Sequence, residues 1–153
     1  MVERYTRGGE QASRMDEDIA KPFKSGLKKA AEKLHPKLIE TKDYQYEFEY
    51  AWQNSIWHLY EPVSFDLMES GSIVEKASRW LGRGVALSES AEQFKIHFLL
   101  GEPKRLGMEK AFENAHHLLE KIPGHPELIE EGGLEAFGDL VAADIESHST
   151  PSN

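Results

Sequence analysis

The chain has no cysteine. Disulfides and thiolate metal sites are therefore excluded, and a reducing compartment is expected. No stretch approaches the ~20 apolar residues that span a bilayer. The opening MVERYTRGGEQASRMDED has no apolar run, so it does not read as a secretory signal. We expect a cytoplasmic, acidic protein with no membrane partner. No glycine loop suited to phosphates is present: Gly82-Arg83-Gly84 is too short and lacks a following Lys-Ser/Thr. A Gly-x-Ser-x-Gly elbow is missing too; Ser70-Gly71-Ser72 has no evident base.

Metal chemistry also finds little support. Seven histidines occur in 153 residues, but His-Glu-x-x-His is absent. His116 and His117 are adjacent, so they diverge by about 100° on a helix. We expect no metal and no cofactor. The Glu/Asp-x-Lys triplets of a restriction-endonuclease-type site occur twice, at Glu40-Thr41-Lys42 and Glu102-Pro103-Lys104. Neither falls within a predicted strand beside a second acid, where lysine would offset developing charge.

What the chain has is a dense aromatic segment. Eight of its fifteen aromatic residues lie in Tyr44–Leu67. Tyr44, Tyr46, Phe48, Tyr50 and Trp52 share one parity, and Gln45, Glu47, Glu49 and Ala51 the other. A period of two predicts a strand with one dry face and one wet face. Gln53-Asn54-Ser55 is the predicted turn of a hairpin. A two-residue loop there sets Tyr50 across from Trp57, Glu49 from His58 and Glu47 from Tyr60. Pro62 is expected to bend the second strand or place it at an edge. Val63, Phe65 and Leu67 continue the alternation as an extension or third strand.

Helical spacing marks a first helix beginning between Asp16 and Pro22 and ending near Leu34. Ser72-x-x-Glu75 reads as a capping box for a second helix, which Gly82 and Gly84 would stop. Phe94–Leu100 alternates as a strand, and further helices are marked by Met108–Ile122 and Leu134–Ile145. The predicted class is α+β: two layers, a mostly antiparallel sheet of three to four strands against about four helices. Residues 1–15 read as a flexible leader, 16–146 as one domain and 147–153 as a disordered tail.

Charge is uneven. Residues 21–42 carry seven lysines and two glutamates, whereas 107–148 carry two basic and ten acidic side chains, within a net charge of −9. An acidic whole disfavours nonspecific nucleic-acid binding. Lys21, Lys24 and Lys28 fall on one helix side and form either a patch for nucleic acid, anionic lipid or an acidic partner protein, or a solvated face or complement to the acidic C-terminal half. On the hairpin's polar side, Glu47, Glu49, His58 and Tyr60 are the binding candidates. A carboxylate beside an imidazole can orient a general base, or be an ordinary cross-strand charge pair.

The run FEYAWQNSIWHLYEPVSFDL, a helix containing EKASRWLG and a strand FKIHFLLGEP resemble the C-terminal half of a widespread prokaryotic family of unknown function, over about residues 20–146. The resemblance implies a bacterial, phage or mobile-element setting and no particular activity. The leading expectation is a non-enzymatic interaction domain binding another protein or a sister domain. The alternative is a hydrolase or nuclease-like enzyme, possibly degenerate, using Glu47, Glu49 and His58.

Overall fold

The structure is a computed structural model and describes residues 13–149. It is α+β, as expected, with more strands than the pattern suggested. The elements are α1 (Asp16–Leu27), a 3-10 segment (Lys28–Lys33), β1 (His35–Glu40), β2 (Gln45–Gln53), β3 (Trp57–Ser64), α2 (Ser70–Leu87), β4 (Phe94–Gly101), α3 (Glu109–Glu120), β5 (Glu127–Ile129) and α4 (Leu134–Ser149). The five strands form one sheet in the order β1-β2-β3-β4-β5. β1, β2 and β3 pair antiparallel, and β3, β4 and β5 pair parallel. The sheet is thus mixed rather than mostly antiparallel. Parallel neighbours require crossover connections, and α2 and α3 supply them.

Helices cover both faces, so the expected two layers are three. One apolar cluster joins α2 and α3 to Ile39, Phe48, Ala51, Leu59, Val63, Ile96 and Phe98. The other joins α1 and α4 to Trp52, Tyr60, Leu99 and Ile129. The aromatic run is divided between them, because β2 carries a bulge. His35 pairs with Ala51 and Lys37 with Phe48, so three steps on β2 match two on β1. The extra residue reverses side-chain parity. Tyr46 and Phe48 therefore face α2 and α3, while Tyr50 and Trp52 face α1 and α4.

The hairpin register also differs from the expectation. Tyr50 pairs with Tyr60, Trp52 with His58 and Gln53 with Trp57, which leaves a three-residue loop, Asn54-Ser55-Ile56. An odd loop exchanges the faces that an even one preserves. Pro62 neither bends nor ends β3: pairing to β2 stops at Tyr60, while pairing to β4 continues through Ser64. The missing proline N–H falls beyond the β2 ladder.

Two short strands had no clear signature. β1 buries only Ile39 and carries Pro36 and Lys37 on a sheet edge, where both discourage further strand pairing. β5 has three residues. Gly82 and Gly84 do not stop α2, which runs to Leu87. Gly84 instead admits α3's end, since a β-carbon there would lie 2.6 Å from Ile122 Cγ2. The leader expectation covers residues 1–12, which lie outside the described residues; Ser13 and Arg14 bond to the body of the protein. Residues 147–149 continue α4 rather than forming a tail, and 150–153 lie outside the described residues.

α1 and α4 cross at Gly26 and Gly138. A β-carbon on Gly138 would collide with the Phe23 carbonyl oxygen and lie 3.1 Å from Gly26 Cα. One on Gly26 would collide with the Glu135 carbonyl oxygen. Backbone cannot yield as a flexible side chain can. Gly138→Ala is therefore expected to lower stability by about 2–3 kcal/mol. Gly132→Ala, where a β-carbon meets nothing within 4 Å, should change it little. Urea midpoints of the two variants provide the check.

Candidate functional site

The structure separates the residues that the expected hairpin register had brought together. His58 and Tyr60 lie on the α1/α4 side of β3, beneath the second half of α4. Glu47 and Glu49 line another pocket, with Asp16, Glu17, Tyr46 and Glu61. Trp52, not Glu49, is the partner of His58, and Tyr50, not Glu47, is the partner of Tyr60. Lys21 pairs with Asp18 at 3.2 Å, and Lys24 lies 4.6 Å from the Tyr50 ring centre. Lys28 caps α1 with φ of 57°, off its helical run. The three lysines thus have separate roles and environments.

The sheet's usual ligand position is filled. Open sheets with parallel strands commonly bind ligands beyond the strands' carboxyl ends. Here Arg14 occupies that end. Its guanidinium bonds Asp66 at 2.9 Å, the Glu102 carbonyl at 2.8 Å, and Glu131. Asp66 also accepts the Lys104 N–H at 3.1 Å, so neither residue is left to meet a ligand alone.

At the opposite end, a cleft of about 470 Å³ opens between β3, β4, β5 and α4. Its sheet side carries His58, Tyr60, His97 and Glu127. Its helix side carries Phe137, Leu140, Val141, Ala143, Asp144 and Ser147. The strand register explains the sheet side. Tyr60 pairs with His97, and His97 with Glu127, which places them on one face of three adjacent parallel strands. His97 and Glu127 were not among the sequence candidates. His97 sits at a polar-parity position in Phe94–Leu100, and that alternation was the only signal; Glu127 had none.

These groups form a hydrogen-bonded chain. His97 Nδ1 lies 2.6 Å from Glu127, His97 Nε2 lies 3.0 Å from His58 Nδ1, and His58 Nε2 lies 3.2 Å from Asn54 Oδ1. Asn54 Oδ1 also accepts the Ile56 N–H at 3.0 Å, which fixes the amide's orientation. Both ends of the chain are therefore acceptors. Each ring nitrogen of the two histidines thus has a polar partner within the protein, with donor and acceptor roles set by the tautomers. Burial, followed by the charge of His97, lowers the His58 pKa. The hydrogen bond from His97 holds Glu127 below the usual carboxylate range, against its partial burial. His97 is only 6% exposed and stacks on Tyr60 with ring centres 4.8 Å apart. Trp52 stacks on His58 at 5.5 Å and donates its indole N–H to Tyr60 at 2.8 Å.

The second pocket holds the other displaced group. Glu61 points toward α2, with its carboxyl 3.3 Å from the Tyr46 hydroxyl. Burial, reinforced by the charge of Asp16, pushes its pKa up to about 8. Arg83 lies over the Tyr46 and Trp80 rings rather than pairing directly with Glu61. Among the described residues, no group of three or more His, Asp or Glu could hold a metal ion.

Two titrations follow. A raised folded-state pKa stabilises below the unfolded value and loses that contribution as pH rises through the folded one. Glu61 thus weakens the fold between about pH 4.5 and 8. Glu61→Gln should be more stable than the parent above pH 8, by roughly 1–3 kcal/mol, and show a flatter stability profile across that window; urea unfolding at several pH values measures both. His58 has the opposite sign. Its depressed pKa contributes stability that is full above about 6.5 and lost as pH falls through its lower folded value. Nitrogen-15 NMR should find His58 neutral at pH 6, and a midpoint at or above the ordinary histidine value would contradict the effect of its burial. Compared with known protein families, curated proteins and solved structures, the chain matches none.

Proposed function

We propose that this chain is a non-enzymatic protein-interaction domain whose contact surface is the cleft beneath α4. The observation that carries the reading is the commitment of all four imidazole nitrogens of His58 and His97 to groups of the protein itself. A general base must offer a free lone pair to the proton it removes. Neither ring does so here. An incoming molecule meets the apolar wall of α4 and the carboxylates of Glu127 and Asp144.

Leu140 supports the same reading. It lines the cleft and is 70% exposed, an apolar side chain at the lip of a concave surface. Interfaces draw their affinity from such groups when a partner covers them. The flat sheet edges offer less. β1 is guarded by Pro36 and Lys37, and β5 is too short to template a strand. No helix among the described residues is long and apolar enough to cross a membrane. The resemblance to a prokaryotic family gives the setting in which we would seek the partner, a bacterial or mobile-element one.

Affinity capture from cells that express the protein tests the proposal. Leu140→Asp should reduce the captured partner at least tenfold, whereas Leu106→Asp should not. Leu106 is 94% exposed and does not line the cleft, so it controls for a general effect of removing surface apolar area. Equal capture by the parent and Leu140→Asp would refute the assignment. So would hydrolysis of an ester or phosphodiester probe that His58→Gln abolishes.

A further inference from the structure

The chemistry of the partner is written in the cleft's two walls. Asp144 on α4 is 52% exposed and Glu127 on β5 is 44% exposed. Both lie within the lining, and they come from opposite sides of the opening. Glu127 engages His97 through Oε1, which leaves Oε2 without a bond among those formed by the described residues. Among the described residues, the Asp144 carboxylate has only a 3.7 Å approach to His148, one helical turn further on. Phe137, Leu140 and Val141 give the same lining an apolar wall.

A long side chain with an apolar stem and a cationic head fits such a surface, since its methylenes cover hydrocarbon while its head stays at the wet rim. We infer that the cleft receives an arginine or lysine side chain of a partner protein, with Asp144 as the principal anchor and Glu127 as a second acceptor. This rests on the interaction reading above and names the partner's chemistry. Arginine suits the two acceptors better than lysine, because a planar guanidinium presents several N–H donors at fixed angles.

The surrounding charge favours the same sign. Residues 107–148, which supply β5 and nearly all of α4, hold ten acidic and two basic side chains. Lys95 of β4 acts electrostatically on both Glu127 and His58 but is not part of the lining. An acidic ligand would meet the carboxylates of Asp144 and Glu127. Tyr60 adds a polar feature of another kind. It is 2% exposed, accepts the Trp52 indole N–H, and finds no acceptor for its own proton among the described residues. It lines the cleft, where the backbone carbonyl of a bound peptide could accept that proton.

The test uses the full chain and capped pentapeptide amides with a central arginine flanked by leucines. The same peptide with citrulline, a neutral isostere of arginine, isolates the charge. Titrations followed by amide NMR shifts should place the arginine peptide at Leu140–Ser147 and Glu127. It should bind at least about fivefold more tightly than the citrulline peptide. Asp144→Asn should remove most of that difference and leave citrulline binding unchanged. Equal binding of the two peptides would overturn the inference. So would an undiminished arginine preference in Asp144→Asn, or shifts confined to the pocket of Glu47, Glu49 and Glu61. Partner capture that depends on Leu140, together with a failed arginine preference, would overturn the cationic partner and leave the interaction reading standing.

Discussion

One extra residue in β2 decides what this sheet can be. Between Phe48 and Ala51 the strand takes three steps while β1 takes two. Without that bulge, Tyr46, Phe48, Tyr50 and Trp52 would all load one face, and the other would carry glutamates into water. With it, the aromatic segment supplies two cores. Phe48 packs against Trp80 of α2, at 6.2 Å between ring centres, and the Trp52 indole reaches across to Tyr60. Helices can then cover both faces, and the α1–α4 pair has apolar surface to rest on. That pair forms the roof under which His58 and His97 sit. The three-residue loop acts in concert: it puts His58 and Tyr60 on the same side as Tyr50 and Trp52. Bulge and loop each reverse parity, and the histidine cleft depends on both.

These two reversals also mark where legibility in the sequence ended. The helices were readable because their apolar stripes are long, as in Ile73-Ala77-Trp80 and Ala111-Ala115-Leu119. The β2–β3 hairpin and β4 were readable from period-two alternation. Parity, however, is a cumulative count, and a single unpaired residue inverts everything beyond it. Nothing in QYEFEYAWQ marks the bulge, because either face accepts an aromatic side chain. The glycines misled for a related reason. Gly82 and Gly84 resemble a helix stop by local propensity, but Gly84 is a packing contact whose meaning lies in Ile122, thirty-eight residues away. β1 and β5 are edge strands with one buried apolar residue each, too little for a pattern. Of the candidate residues, His58 and Tyr60 line one cleft, while Glu47 and Glu49 line another pocket. The cleft partners of His58 and Tyr60, His97 and Glu127, arrive through parallel pairing that no local spacing encodes.

The polar groups of this cleft differ in arrangement from a proton relay of similar outline. A carboxylate, an imidazole and a second imidazole in line form the skeleton of a proton relay. The distinction lies at the far end. In a relay the last nitrogen faces the substrate; here it faces Asn54 Oδ1, which a backbone N–H already holds in place. The chain closes on the hairpin loop. Its effect is mechanical: it ties β5 to β4, β4 to β3, and β3 to the loop that sets its register. Buried polar groups are costly unless fully satisfied, and fully satisfied ones fix a unique arrangement. Here every ring nitrogen of His58 and His97 has a polar partner.

The two ends of the parallel strands consequently have opposite characters, and the difference follows from what pairs with their carboxylates. At the carboxyl end, Arg14 brings a permanent charge with five donors, and Asp66, Glu131 and the Glu102 carbonyl take up four of them. Each acid there has a basic counterpart, so that end is sealed. At the amino end His97 engages Glu127 on one side and His58 on the other, both along the sheet. It satisfies one oxygen of Glu127 and cannot turn toward α4. Asp144 lines the opening beside the apolar wall of Phe137, Leu140 and Val141. A carboxylate at the mouth of a hydrocarbon-lined cleft is tolerable while water reaches it. Closing the cleft would strip that water away and require a replacement donor. A cationic side chain supplies the donor and the hydrocarbon together, whereas a purely apolar one would leave Asp144 buried and unpaired.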